Sequence, residues 1–155
     1  MARAAKWRMG DSNAKGLTST AWAFATLGQP DIQLFMALAR TAEQHMMCGF
    51  AAQGLSNMAW AFATVKQSRE KLFAVSARAV ERRSSKFDSQ AMANTVWAFA
   101  TVNYRDEKLF ATLAIAAERR LSEFNPQGVA NSAWTFATVN YRDEKLFEVL
   151  AIAAE

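Results

Sequence analysis

Residues 94–100 read Asn94-Thr95-Val96-Trp97-Ala98-Phe99-Ala100, and the same order returns at 57–63 and 131–137, with Ser19-Thr20-Ala21-Trp22-Ala23-Phe24-Ala25 as a fourth version. The tryptophans Trp22, Trp60, Trp97 and Trp134 are 38, 37 and 37 residues apart. Phenylalanines keep the same beat, as Phe24, Phe62, Phe99 and Phe136, then Phe35, Phe73, Phe110 and Phe147, then Phe50, Phe87 and Phe124. A fixed period in the range of ~20–50 residues marks a solenoid, in which each unit packs on its neighbours. The predicted fold is an all-α solenoid of stacked helix–turn–helix repeats with a 37–38-residue period.

The repeats divide as 13–50, 51–87, 88–124 and a shorter 125–155. The first holds one extra residue, within 43–49, and residues 103–110 reappear as 140–147. Glu155 falls at the position of Glu118, which predicts that about two turns of the last helix lie beyond it, as in a segment of a longer array. Residues 1–12 read as an N-terminal flank or the remnant of a preceding repeat. Arg3, Lys6 and Arg8 precede Asp11, the sign of a transit peptide but over a short stretch.

Composition narrows the class. Half the residues are apolar, with two prolines and six glycines, which disfavours a β-rich fold. No apolar run nears the ~18–20 residues of a membrane span, so no membrane insertion is expected. A single cysteine excludes an internal disulfide framework. His45 and Cys48 form a lone His-x-x-Cys, two ligands where a zinc site wants about four, so no metal and no cofactor are expected. No phosphate-binding glycine loop or nucleophile–base set is visible, which argues against an enzyme.

In the fourth repeat, Asn125 is a good N-cap and Pro126 a good first helical residue; Asp88 caps the third repeat. Val129, Ala133, Phe136 and Ala137 then share a face that Trp134 and Val139 widen. So wide an apolar arc requires contact with neighbouring repeats as well as the partner helix, and it predicts Trp60, Trp97 and Trp134 buried at repeat junctions. The remaining stripe is uncharged in three repeats, as Gln127, Asn131, Thr135 and Thr138, Gln90, Asn94, Ala98 and Thr101, and Gln53, Asn57, Ala61 and Thr64; the first repeat departs from it with Lys15, Ser19, Ala23 and Thr26. These first helices are expected on the concave side, where small residues permit tighter curvature.

The second helices are amphipathic. In residues 106–124, Leu109, Phe110, Leu113, Ala117, Leu121 and Phe124 line one face and Glu107, Lys108, Thr112, Ile115, Glu118, Arg119 and Ser122 the other. Acidic residues open this helix and Arg119 and Arg120 lie near its end, in keeping with the helix dipole.

The Asn-x-x-Trp-x-Phe-Ala strings and their period resemble the first helix of the octotricopeptide and heptatricopeptide repeats, which are related to the helical arrays of RAP-domain and FAST-kinase-domain proteins. The resemblance spans residues 13–155. It implies binding of single-stranded RNA in a mitochondrion or plastid, with roles in RNA processing, stability, translation or ribosome assembly.

On that reading the base-facing candidates are Gln53, Asn57, Met58, Gln90, Asn94, Thr95, Gln127, Asn131, Ser132 and Thr135, with Thr20, Ala61 and Ala98 at the varied positions. An amide offers a donor and an acceptor together, which suits a base edge. The column Asn57, Asn94 and Asn131 is also suited to a ladder of hydrogen bonds to backbone between neighbouring first helices. The phosphate candidates are Arg82, Arg83, Arg105, Arg119, Arg120 and Arg142, which recur at repeat spacing although the net charge is only +4. The alternative is a protein–protein scaffold, to which an uncharged inner stripe is equally suited, or a structural subunit contacting ribosomal RNA.

Overall fold

The computed structural model describes residues 13–47 and 49–153; Cys48, Glu155 and the 1–12 flank lie outside the described residues. Eight α-helices and no strands are found among the described residues. They are α1 (Ala14–Thr26), α2 (Ile32–His45), α3 (Ala52–Thr64), α4 (Glu70–Arg83), α5 (Ser89–Thr101), α6 (Glu107–Arg119), α7 (Pro126–Thr138) and α8 (Glu144–Ala153). Odd helices are the first and even helices the second of each repeat, so the predicted helical hairpins are present and stack in series. None of the described helices is long and apolar enough to cross a membrane.

The caps show why the helices begin where they do. Asn13, Asp88 and Asn125 accept hydrogen bonds from the backbone N–H three residues on, as do Asp31, Asp106 and Asp143 at second helices. Every first helix ends the same way. Gly28, Lys66, Asn103 and Asn140 take left-handed φ values of 62°, 57°, 55° and 56°. The next residue's N–H then reaches back to the phenylalanine carbonyl of the helix, as Tyr104 does to Phe99 at 2.9 Å. Glycine and asparagine suit that conformation; Lys66 carries its strain.

The second helices are shorter than the amphipathic pattern suggests. α4 and α6 stop at Arg83 and Arg119, and the 3₁₀ turns Ser84–Lys86 and Leu121–Glu123 carry the chain to the next repeat. Those turns place Phe87 and Phe124 beneath the start of the following first helix.

Packing is closest between successive first helices, α3 against α5 above all, and sparser between second helices. Alanines make the close approach possible: Ala21, Ala59, Ala61 and Ala98 are buried in it. This difference between layers agrees with first helices on the tighter, inner side. Between repeats, the second-helix phenylalanine meets the first-helix phenylalanine of the next repeat edge to face. The centroid distances are 5.1 Å for Phe35–Phe62, 5.2 Å for Phe73–Phe99 and 6.2 Å for Phe110–Phe136. Such pairs add about 0.5–1.5 kcal/mol beyond their area burial.

The structure corrects the expectation for tryptophan. Trp134 is 61% and Trp22 48% exposed, and Trp60 and Trp97 are only half-buried. The reason is helical geometry. Trp97 follows Gln90 by seven residues and so lies about 20° from it around the helix, whereas Ala98, one residue further, lies about 80° away. The tryptophans therefore stand in the polar stripe, and Ala61, Ala98 and Thr135, assigned to it above, turn into the core.

Candidate nucleic-acid interface

The exposed column of each first helix is thus Gln–Asn–Trp–Thr. It reads Gln53, Asn57, Trp60 and Thr64 on α3, Gln90, Asn94, Trp97 and Thr101 on α5, and Gln127, Asn131, Trp134 and Thr138 on α7. On α1 Lys15, Ser19, Trp22 and Thr26 take those places, and Lys15 brings the stripe its one charge. The sequence signal that finds the tryptophans is the i, i+4, i+7, i+11 spacing, which keeps all four positions within a narrow arc.

Six of the base-facing candidates lie on this surface: Gln53, Asn57, Gln90, Asn94, Gln127 and Asn131. The asparagines form no ladder, since the amides of Asn57, Asn94 and Asn131 hydrogen-bond to no other described residue. Buried alanines such as Ala59, Ala61 and Ala98 lie in the contact between first helices, while the asparagines stand in the stripe outside it.

The other four candidates are corrected. Met58, Thr95, Ser132 and Thr135 are buried, and so are Ala61 and Ala98. The Thr95 hydroxyl donates to the carbonyl of Ala91 at 2.7 Å and that of Thr135 to Asn131 at 2.6 Å, four residues back. No base reaches them in this packing. Thr20 is partly buried and its hydroxyl is likewise bonded to its own helix, at Gly16.

The arginines separate into two kinds. Arg83 reaches back one repeat, donating to the carbonyls of Phe50 and, at 2.6 Å, Met47. Arg120 does the same to Ser85 at 3.1 Å and also pairs with Glu123 at 3.1 Å. Both fasten one repeat's closing turn to the next, which commits part of each guanidinium's donor set within the fold. Arg82 and Arg119 are exposed and make no ion pair with described residues; they stand in the outer layer, beside Tyr104 and Ile115 respectively. Arg105 and Arg142 are exposed on the turn edge, where both line one depression and each Nε donates to the asparagine two residues earlier at 3.1 Å. This edge adjoins the C-terminal end of the stripe, just past Thr101 and Thr138.

Burial, and then Asp106 and Asp143, raise the proton affinity of Tyr104 and Tyr141, and the bond to Glu118 raises that of Lys145. Among the described residues no three His, Cys, Asp or Glu side chains gather as a metal site requires. The surface offers aromatic rings and uncharged hydrogen-bond donors and acceptors.

The family model of RNA-editing substrate-binding complex 6 protein (RESC6) matches residues 1–154. No curated protein matches the chain.

Proposed function

Since the chain belongs to the RNA-editing substrate-binding complex 6 family, we propose that it binds single-stranded RNA within such a complex, in the mitochondrion. The plastid, the other compartment of the repeat resemblance, gains no support. The observation that carries this reading is the Gln–Asn–Trp–Thr column, repeated in register on consecutive first helices. Rings at regular spacing suit bases that stack, at about 1–3 kcal/mol each, and the neighbouring amides suit their edges.

The phosphates would run along the turn edge, where Arg105 and Arg142 recur one repeat apart. The module acts by binding and positioning, not as an enzyme. Stacked helices admit splayed bases and exclude a rigid A-form duplex, whose bases are already paired.

Fluorescence anisotropy with short labelled RNAs tests the reading. Single strands should bind and the matching duplex should bind at least about tenfold more weakly. Equal affinity for both, or binding of neither at low salt, overturns it. The uncharged stripe also fits an extended peptide, and the latter outcome would favour that protein partner.

A further inference from the structure

Two depressions of about 390 Å³ each open on the stripe, one between the first and second repeats and one between the third and fourth. They are the same place in the repeat. The first is formed by Lys15 and Ser19 of α1 with Gln53, Gly54 and Asn57 of α3. The second is formed by Gln90 and Asn94 of α5 with Gln127, Gly128 and Asn131 of α7. Each residue of one set stands at the repeat position of its counterpart in the other.

Between the second and third repeats the glycine position is Ala91, 5% exposed, and α3 and α5 are the most closely packed first helices. A Cβ at Gly54 would lie 3.5 Å from Phe50 and Thr18, and one at Gly128 would lie 3.2 Å from Asn125 Oδ1 and 3.3 Å from the Phe124 ring, so each glycine forms part of its depression's floor without crowding it. The two openings lie two repeat boundaries apart.

We propose that these two depressions are nucleobase slots, each taking one unpaired base between polar side chains of adjacent repeats; the proposal rests on the RNA reading above. A volume of this size lies within the ~300–1,000 Å³ range of small-molecule sites. The chemistry of the walls matches a base edge. A glutamine or asparagine amide presents a donor and an acceptor side by side, so it can bond two adjacent groups on one base. These amides are uncommitted to other described residues, and the tryptophan one turn further along each helix offers a ring to the next base.

The slots differ in one respect. Lys15 only donates, so the first slot favours bases rich in carbonyl acceptors, such as uracil, over adenine. The second, lined by the amides of Gln90, Asn94, Gln127 and Asn131 and by Glu123, whose carboxylate pairs with Arg120 at 3.1 Å, has no donor-only wall of that kind. First helices about 8–10 Å apart place the slots roughly 16–20 Å from one another, so one nucleotide cannot fill both.

The test compares binding of labelled oligouridine, oligoadenosine and oligocytidine by wild type, by Gln53→Leu/Asn57→Leu and by Gln127→Leu/Asn131→Leu. Leucine keeps the helices and removes the polar edge. Each double variant should lose about tenfold in affinity for its best homopolymer, as the loss of a bidentate base contact implies. The first should lose most on oligouridine. Near-isosteric Asn57→Asp and Asn131→Asp, which keep shape and remove donors, should lower oligouridine affinity relative to oligoadenosine even if a leucine variant fails to fold. Wild-type affinities and order in folded variants would overturn the slots and leave RNA binding standing. Absence of wild-type binding to any homopolymer would overturn both.

Discussion

Lys108 Nζ lies 2.9 Å from the carboxylate of Glu81, one repeat behind it. Lys71 pairs with Glu43 at 3.4 Å and Lys145 with Glu118 at 2.9 Å, at the same positions of successive second helices. The lysines are largely exposed and the glutamates mostly covered, so each pair ties the start of one second helix to the end of the previous one. The outer layer, whose helices touch sparsely, is thus held in register by charge, while the inner layer is held by alanine packing.

Because the lysines face water, all three pairs are screened by salt, and the Lys108–Glu81 pair is worth about 0.2–1 kcal/mol. Lys108→Ala should lower stability by an amount in that range in dilute buffer and by less at high salt. Equal losses at both ionic strengths in chemical denaturation would contradict the assignment.

Arg83 should matter more than its exposed neighbour Arg82. Arg83→Ala removes two charge-assisted bonds to carbonyls of the preceding repeat, a loss of about 2–3 kcal/mol, and lysine cannot restore the paired geometry. Arg82→Ala should stay within about 0.5 kcal/mol. Urea denaturation of the two variants gives the ranking directly.

Alkaline pH should destabilise the fold. Tyr104 and Tyr141 are raised above the usual 10.0 by burial and nearby aspartates, and Lys145 above 10.5 by Glu118. Each group holds its proton more tightly when folded, so its contribution is full below the unfolded value and is lost as pH rises through the folded one. Denaturation midpoints should fall above pH ~10, and Tyr104→Phe/Tyr141→Phe should reduce that slope. An unchanged slope in the double variant would contradict this cause.

The repeat, the helical hairpins and the phenylalanine seams were legible from period alone, since Phe62, Phe99 and Phe136 fall where 3.6-residue periodicity puts the core. The tryptophans were not. Their size and the width of the apolar arc point to burial, but each stands seven residues after the stripe's first position, within about 20° of it around the helix, and that register outweighs size. Arg83 and Arg120 failed for another reason: their carbonyl partners lie about one repeat away, and no local pattern encodes that contact. The amides were found because polar residues at i and i+4 on an apolar helix have no use in its core.

The revised placement has a stability consequence. Trp134→Ala should cost less than Trp97→Ala, and both should fall below the ~3–5 kcal/mol of a fully buried aromatic. Iodide quenching should likewise drop more on Trp134→Phe than on Trp97→Phe.

The central claim is that the tryptophan column meets bases. Intrinsic tryptophan fluorescence during titration with an unlabelled single-stranded oligonucleotide tests it most directly. Stacking should quench the emission saturably, and Trp60→Ala and Trp134→Ala should each remove part of the quench and weaken binding roughly five- to hundredfold, the equivalent of ~1–3 kcal/mol. RNA bound to saturation with unchanged tryptophan emission, and with wild-type affinity in both variants, would contradict the account.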